Sequence, residues 1–375
     1  MSLDCSIDSS VDFEEWGAIL SAPLNGGRYP LSATFELTNR CNFNCAHCYI
    51  NQPANDEAAC ERELTTEQVK AIIDQMAAAG VLFLTLTGGE PLLRPDFAEI
   101  YTYARLKGLL VILFTNGALI TEEIADFLND LRPFSVDISI YGASRSVFEA
   151  VTRVSGTFSR CYAGIERLLS RGIPLSLKTE LMTLNIDEIA EMKAFADEKG
   201  LKFRYDGLLW PRLDGIGEFP REVQLPLDMV VDLDNWDNER HDAVKTEIVR
   251  LKDLKTRDER VFSCGAGLRS FHVDSEGRMS ICMMVRSPSY SLLEMPFMEA
   301  WERLGSLRKM KRSVISKCQS CTLNVLCSHC PGWSLAIAGN HESVVEFVCD
   351  HGKLRTENGL GIKSSELMEV MENYE

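Results

Sequence analysis

The chain has 375 residues, 45% of them hydrophobic, long enough for one large α/β domain with a sizeable core and a smaller domain beside it. Its 39 basic and 55 acidic residues give a net charge of −16, which repels a nucleic-acid backbone. With no signal-peptide segment and no run of eighteen apolar residues to span a membrane, it reads as cytoplasmic, where thirteen cysteines argue for metal rather than disulfides.

Residues 1–30 are polar, interrupted by Pro23, Gly26, Gly27 and Pro30, and form an N-terminal arm too short for a domain. Thr34 to Thr38 alternates as a strand does and runs into Cys41-Asn42-Phe43-Asn44-Cys45-Ala46-His47-Cys48. Three thiolates cannot close a four-iron site, so a loop supplying three leaves one iron open to a ligand that is not protein. On these residues alone, a zinc knuckle or a trio of buried thiols remains an alternative. His47 here, and His329 farther on, lie between cysteines, where a histidine more often points to solvent or a carbonyl than serves as a ligand.

Beyond the loop, Thr65 or Thr66 can cap a helix whose Val69, Ile72, Ile73 and Met76 fall on one face, with Gly80 to end it. Val81 to Leu86 is a nearly continuous apolar run, as in a strand of a parallel sheet. The alternation continues with a helix from Asp96 to Lys107, a strand Leu109 to Phe114, a helix opened by Thr121, and a strand Phe134 to Ile140. Then come a helix Phe158 to Arg171, a strand Pro174 to Thr179, a helix capped by Asn185 with Glu188, and a strand Lys202 to Tyr205. Six sequential βα units demand parallel strands and right-handed crossovers.

The chemistry-bearing residues decide between a barrel and a doubly wound sheet. The cysteine loop, Gly88-Gly89-Glu90, Thr115-Asn116-Gly117, Ser139 and the segment after Thr179 all follow strands at their C-terminal ends, where a barrel gathers its active site. The fold expected is therefore α/β, a partial (β/α)6 TIM-type barrel over residues 31–205. In Gly88-Gly89-Glu90-Pro91 the glycines let a ligand approach the backbone and the Glu90 carboxylate can hold an ammonium group.

Residues 206–260 form a turn-rich bridge in which Tyr205, Asp206, Arg212 and Asp214 are acid/base candidates by location only. Residues 261–352 hold Cys264, Cys282, Cys318, Cys321, Cys327, Cys330 and Cys349, and two C-x2-C pairs there could also make a zinc ribbon. Residues 353–375 end in an amphipathic helical tail with Leu367, Val370, Met371 and Tyr374 on one face. Cys5, Cys60 and Cys161 fit no motif and read as incidental or buried.

The C-x3-C-x2-C loop with Tyr49 after it resembles the cluster signature of the radical S-adenosylmethionine (radical SAM) superfamily. That resemblance implies a laterally open barrel and a [4Fe-4S] cluster on Cys41, Cys45 and Cys48, its open iron chelated by S-adenosylmethionine. It implies cofactor contacts from Tyr49, Gly88, Gly89, Glu90, Thr115, Asn116, Ser139 and Arg153. The C-terminal cysteines resemble the SPASM domain of peptide-modifying relatives, which carries two auxiliary iron-sulfur clusters. By position one cluster takes Cys318, Cys321, Cys327 and Cys349, and the other Cys264, Cys282 and Cys330. Two residues separate Cys327 from Cys330 where the pattern usually has three.

The function implied is reductive cleavage of S-adenosylmethionine to a 5′-deoxyadenosyl radical that takes hydrogen from a substrate, most simply a ribosomally made peptide. A separate PqqD-like recognition protein would present the peptide, and a flavodoxin- or ferredoxin-type donor would supply electrons. The alternatives are an enzyme of tetrapyrrole, haem or other cofactor biosynthesis in the same superfamily, and a metal-stabilised interaction protein without catalysis.

Overall fold

The computed structural model describes residues 27–360 apart from 51, 214–219, 237, 239, 243–245, 247–259, 314–316, 319–320, 322, 324–326 and 328. Most of the N-terminal arm, Cys5, Asp214 and the amphipathic tail from Ser365 lie outside the described residues.

Six strands pair in parallel in chain order: β1 (Ser32–Thr38), β2 (Phe83–Gly88), β3 (Leu110–Thr115), β4 (Ser135–Ser139), β5 (Leu175–Glu180) and β6 (Lys202–Asp206). Between them run helices α1 (Thr66–Ala78), α2 (Phe97–Leu106), α3 (Glu122–Asp130), α4 (Arg145–Thr152), α5 (Thr157–Ser170) and α6 (Ile189–Glu198). This is the expected α/β architecture, and its sheet stays open at both edges. The reason is visible in the alternation. Leu84, Leu86, Val111, Leu113, Val136, Ile138 and Leu177 are fully buried in the apolar core, whereas Asp137, Lys178 and Glu180 occupy alternate positions on the other face. Val69, Ile72, Ile73 and Met76 of α1 are at most 1% exposed, each stabilising the fold by roughly 2 kcal/mol. Thr65 and Gln68 close the capping box that starts that helix, at 3.3 and 2.9 Å.

Two local expectations are corrected. Asn185 and Glu188 do not cap a helix. Asn185 Oδ1 accepts from Met182 N and its amide donates to Glu180 O, while Glu188 accepts from Ala143 N and Ser144 N, tying α6 to the loop before α4. Helix α4 is not among the elements expected from the sequence. It spans only eight residues, and its start rests on one side-chain cap, from Ser144 to Val147 N.

The sheet does not end with the six βα units. Strand β7 (Ser270–Val273) adds parallel to β1, and β8 (Arg278–Cys282) and β9 (Val285–Ser291) follow antiparallel, giving the order β9-β8-β7-β1-β2-β3-β4-β5-β6. The cysteine-rich region is thus a continuation of the barrel sheet. Among the described residues four more helices follow the barrel: α7 (Leu227–Trp236) in the bridge, then α8 (Phe297–Leu304), α9 (Pro331–Ala338) and α10 (Glu346–Leu360).

The junction is held by a buried charge cluster. Glu36 on β1 is 0% exposed, takes both guanidinium nitrogens of Arg286 at 2.9 and 2.6 Å, and lies 3.3 Å from His272 Nε2. Burial alone would push the Glu36 carboxyl up, but His272 and Arg286 more than offset this and hold it at about 2, against 4.5 ordinarily. A lowered carboxylate contributes stability above its unfolded value and loses it on acidification, here between about pH 4.5 and 2. Glu36→Gln should cost roughly 2–4 kcal/mol in urea unfolding at pH 7, because it strands half-buried Arg286 without its carboxylate. It should also flatten the acid limb of the stability profile; an unchanged midpoint would remove this cluster as the joint.

Candidate active site

The cysteine loop leaves β1 and is fixed from four sides. From β2, Gly89 N donates to Thr38 O at 2.8 Å and Glu90 N to Arg40 O at 2.9 Å. These contacts require glycine: a Cβ on Gly88 would lie 2.0 Å from Thr38 O, one on Gly89 2.3 Å from Arg40 O, and Gly88 has φ +136°. From β3, Asn116 Nδ2 donates to Asn42 Oδ1 at 2.8 Å and lies 3.8 Å from Cys41 Sγ. From α4, the end carbonyls of Thr152 and Val151 accept Asn44 N and Ala46 N at 3.0 and 2.9 Å. From the bridge, Leu213 N donates to Tyr49 O at 3.0 Å and Arg212 reaches Cys48 O at 3.4 Å. Beneath the loop stem, Glu63 takes Arg40 in a bidentate pair at 2.7 and 3.0 Å.

Glu90 holds this arrangement together. Fully buried, it accepts Thr115 Oγ1 at 2.8 and 3.0 Å, Asn116 N at 2.8 Å and Leu92 N at 3.1 Å. Burial pushes its carboxyl up to about 7 against those donors. The carboxylate expected to meet an ammonium group is engaged by the chain, and it acts as a brace between the ends of β2 and β3. The glycines likewise serve the approach of one backbone to another.

Arg153 is the one described non-glycine residue with positive φ, at 54°, and caps α4. Its neighbours Val151 and Thr152 hold the cysteine loop, so this exposed arginine stands beside it. Helix α4 is the signal missing from the sequence reading. Ser139 ends β4, and Tyr141 two residues on packs against His47 at 4.9 Å. His47 is buried and its imidazole is held down at about 4 by desolvation, so it is neutral and stacked.

The donor set fits a cofactor. Cys41, Cys45 and Cys48 are unpaired by disulfides and within electrostatic reach of one another. Burial, with the nearby Glu90 charge, pushes Cys41 up to about 12, and burial likewise raises Cys45 well above the ordinary thiol range, so these thiols ionise only against a bound cation. Cys41 Sγ also accepts Phe43 N at 3.4 Å. Four buried polar atoms around the loop, Asn39 Oδ1, Asn42 Nδ2, His47 Nδ1 and Gln52 Oε1, lack partners among the described residues, which suits a polar ligand there.

Farther on, Cys264, Cys282 and Cys330 stand within electrostatic reach of one another, as do Cys318, Cys321, Cys327 and Cys349. Among the described residues no three His, Cys, Asp or Glu side chains converge as the ligands of a single metal ion do. Cys161 is core, packed under Ser139 and Gly117, and Cys60 is exposed. His329 bonds Ser334 through Nε2. Of the acid/base candidates, Tyr205 bonds Leu233 O toward α7 and Asp206 caps Leu208 N.

The pattern of the radical SAM superfamily matches residues 35–198. The AdoMet-dependent heme synthase of Methanosarcina barkeri is 30% identical over 335 residues, covering 83% of this chain and 94% of that protein. The mycofactocin maturase MftC of Mycolicibacterium smegmatis is 35% identical over 176 residues, covering 47% of this chain and 44% of the maturase, under half of either. Streptococcus suis SuiB bound to precursor peptide SuiA superposes with a TM-score of 0.65 over 90% of this chain and 80% of its own, at 16% identity, and shares the fold. No described helix is long and apolar enough to cross a membrane.

Gly89→Ala tests the pinning directly, since its φ is ordinary and the obstacle is the Asn39–Arg40 backbone, with Arg40 O at 2.3 Å and Asn39 O at 2.7 Å. Overpacking against backbone should lower the urea unfolding free energy by about 1–3 kcal/mol and loosen the loop, exposing Cys41 and Cys45 to thiol labelling. Labelling at the parent rate would show that the β2 end does not hold the loop.

Proposed function

The chain belongs to the radical SAM superfamily, and on that premise we propose that Cys41, Cys45 and Cys48 hold its [4Fe-4S] cluster, with S-adenosylmethionine on the fourth iron. Held by these residues, the cluster would supply the one electron needed for reductive cleavage of S-adenosylmethionine to methionine and a hydrogen-abstracting 5′-deoxyadenosyl group. The observation that carries this reading is the three-thiol loop, pinned by β2, β3 and α4 and ringed by partnerless buried polar atoms.

The chain's residues then have distinct tasks. The Gly88–Gly89 backbone and Asn116 line the ligand side, Glu90 keeps them in register, and Tyr49 and Ser139 bound the cofactor where β1 and β4 end. Arg153 offers a guanidinium to the cofactor carboxylate beside the loop. The apolar outer core and the partly enclosed inner face keep competing hydrogen donors from the radical. Cys318, Cys321, Cys327 and Cys349 hold one auxiliary cluster, and Cys264, Cys282 and Cys330 another whose fourth position is open to exchange.

The substrate proposed is a ribosomally synthesised peptide. The open sheet edge at β6 suits an extended chain, and the maturase likeness over the barrel agrees with it. A PqqD-like partner would raise the local concentration of the peptide, and a flavodoxin- or ferredoxin-type protein would reduce the clusters. A second reading, a tetrapyrrole substrate, is favoured by the nearly end-to-end likeness to a heme synthase.

Anaerobically reconstituted chain with dithionite should release 5′-deoxyadenosine, and replacement of Cys41, Cys45 and Cys48 together by alanine should abolish release while iron bound by the C-terminal cysteines persists. Release by the triple variant would sink the assignment. Coexpression with the peptide encoded beside the gene, read by mass spectrometry, should show a mass change that requires the enzyme; an unaltered peptide together with a modified porphyrin would select the second reading.

A further inference from the structure

The inner face of β5 carries two ionisable side chains that the cofactor site does not use. Leu177 and Thr179 of this strand turn outward and are buried, which leaves Lys178 and Glu180 on the inner face, both half-buried and open to it. Neither side chain has a hydrogen bond or ion pair among the described residues. The Lys178 ammonium instead rests 3.4 Å from the centroid of the Phe114 ring on β3.

The neighbouring carboxylate on β4 is already matched. Asp137 on β4 accepts Ser176 Oγ at 2.6 Å and pairs with Arg204 of β6, so it is committed to the floor of the sheet. Toward the mouth, Glu180 is in electrostatic contact with Tyr49 of the cysteine loop and with Tyr141. The pair therefore lies on the barrel interior next to the cofactor loop, at the depth a substrate must reach to meet it.

From this we infer that Lys178, seconded by Glu180, binds a carboxylate group of the substrate and so fixes which of its hydrogens faces the cofactor. A chain of net charge −16 repels an anionic substrate at long range, so a carboxylate needs a dedicated local receptor. An unpaired ammonium over an aromatic face is one. Desolvation lowers Lys178 to about 8, and desolvation with the Asp206 charge raises Glu180 to about 8. Both shifts favour the protonated Glu180 and bring Lys178 close to its titration range, so that below about 8 the pair offers two donors to an incoming carboxylate. This rests on the proposed hydrogen-abstraction function and names the substrate chemistry that function takes. The carboxylate is a propionate of a tetrapyrrole or an acidic side chain of a peptide.

Binding to the anaerobically reconstituted full chain with S-adenosylmethionine, followed by calorimetry, tests the assignment. The probes are coproporphyrin III against its tetramethyl ester, and a glutamate-containing peptide against its glutamine counterpart. One carboxylate probe should bind at least roughly 10-fold tighter than its neutral counterpart, the loss of one charge-assisted bond. Lys178→Met should erase that difference and Lys178→Arg should restore part of it, with melting temperatures checked so that misfolding is not read as lost binding. Affinity of the parent should fall as pH rises through about 8, with Asp137, Arg204, Asp206, Tyr49 and Tyr141 the other titratable groups facing the pair. The probe that binds identifies the source. Equal affinity for a carboxylate and its neutral counterpart, no binding of either pair, or full affinity in Lys178→Met overturns the inference. Absent 5′-deoxyadenosine release by the parent would instead overturn the cofactor reading and leave the binding comparison standing.

Discussion

The active end of this protein depends on one buried carboxylate. Glu90 accepts from Thr115, Asn116 and Leu92, and through them it locks the end of β2 to the end of β3. Its own backbone N–H donates to Arg40 O and that of Gly89 to Thr38 O, and Asn116 passes the restraint on to Asn42. Each such bond contributes only about 1 kcal/mol net, yet breaking one leaves a buried donor that costs about 1–3. Cooperation among them, rather than the strength of any one, gives an eight-residue loop a single shape. Burial lifts the carboxyl to about 7 against the pull of those same donors.

Much of this was legible in the sequence, for a physical reason. Parallel βα units repeat their signals, and the residues at strand ends declare themselves by being Gly, Asn, Ser or Cys where apolar runs stop. The six parallel strands follow from that periodicity. That Gly88 and Gly89 also meet backbone, and that Glu90 braces β2 against β3, did not follow, because local sequence cannot say what occupies the space beside a glycine. Here Thr38 O and Arg40 O fill it. Helix α4 was missed because eight residues give little periodicity, and it is the element that brings Arg153 to the loop.

The C-terminal region shows the other limit. Its cysteines were conspicuous, but Ser270–Val273 carries no strong strand signal, and only pairing with β1 makes it part of the sheet. That pairing, sealed by Glu36 with Arg286 and His272, sets the cysteine-rich region against the same strand that feeds the cysteine loop. A rigid joint of this kind fixes the separation between cofactor site and C-terminal thiols, which electron exchange between them would require. It also leaves β6 as the free edge of the parallel half, near Lys178 and Glu180.

The central claim is that three thiolates hold a cluster with one iron left for S-adenosylmethionine. Electron paramagnetic resonance of the reconstituted, dithionite-reduced chain, recorded with and without S-adenosylmethionine, addresses it most directly. The account predicts that added S-adenosylmethionine shifts the signal of one cluster, and that this responsive signal is missing when Cys41, Cys45 and Cys48 are alanine. A reduced spectrum indifferent to S-adenosylmethionine, or a responsive signal that survives loss of those three cysteines, would contradict it.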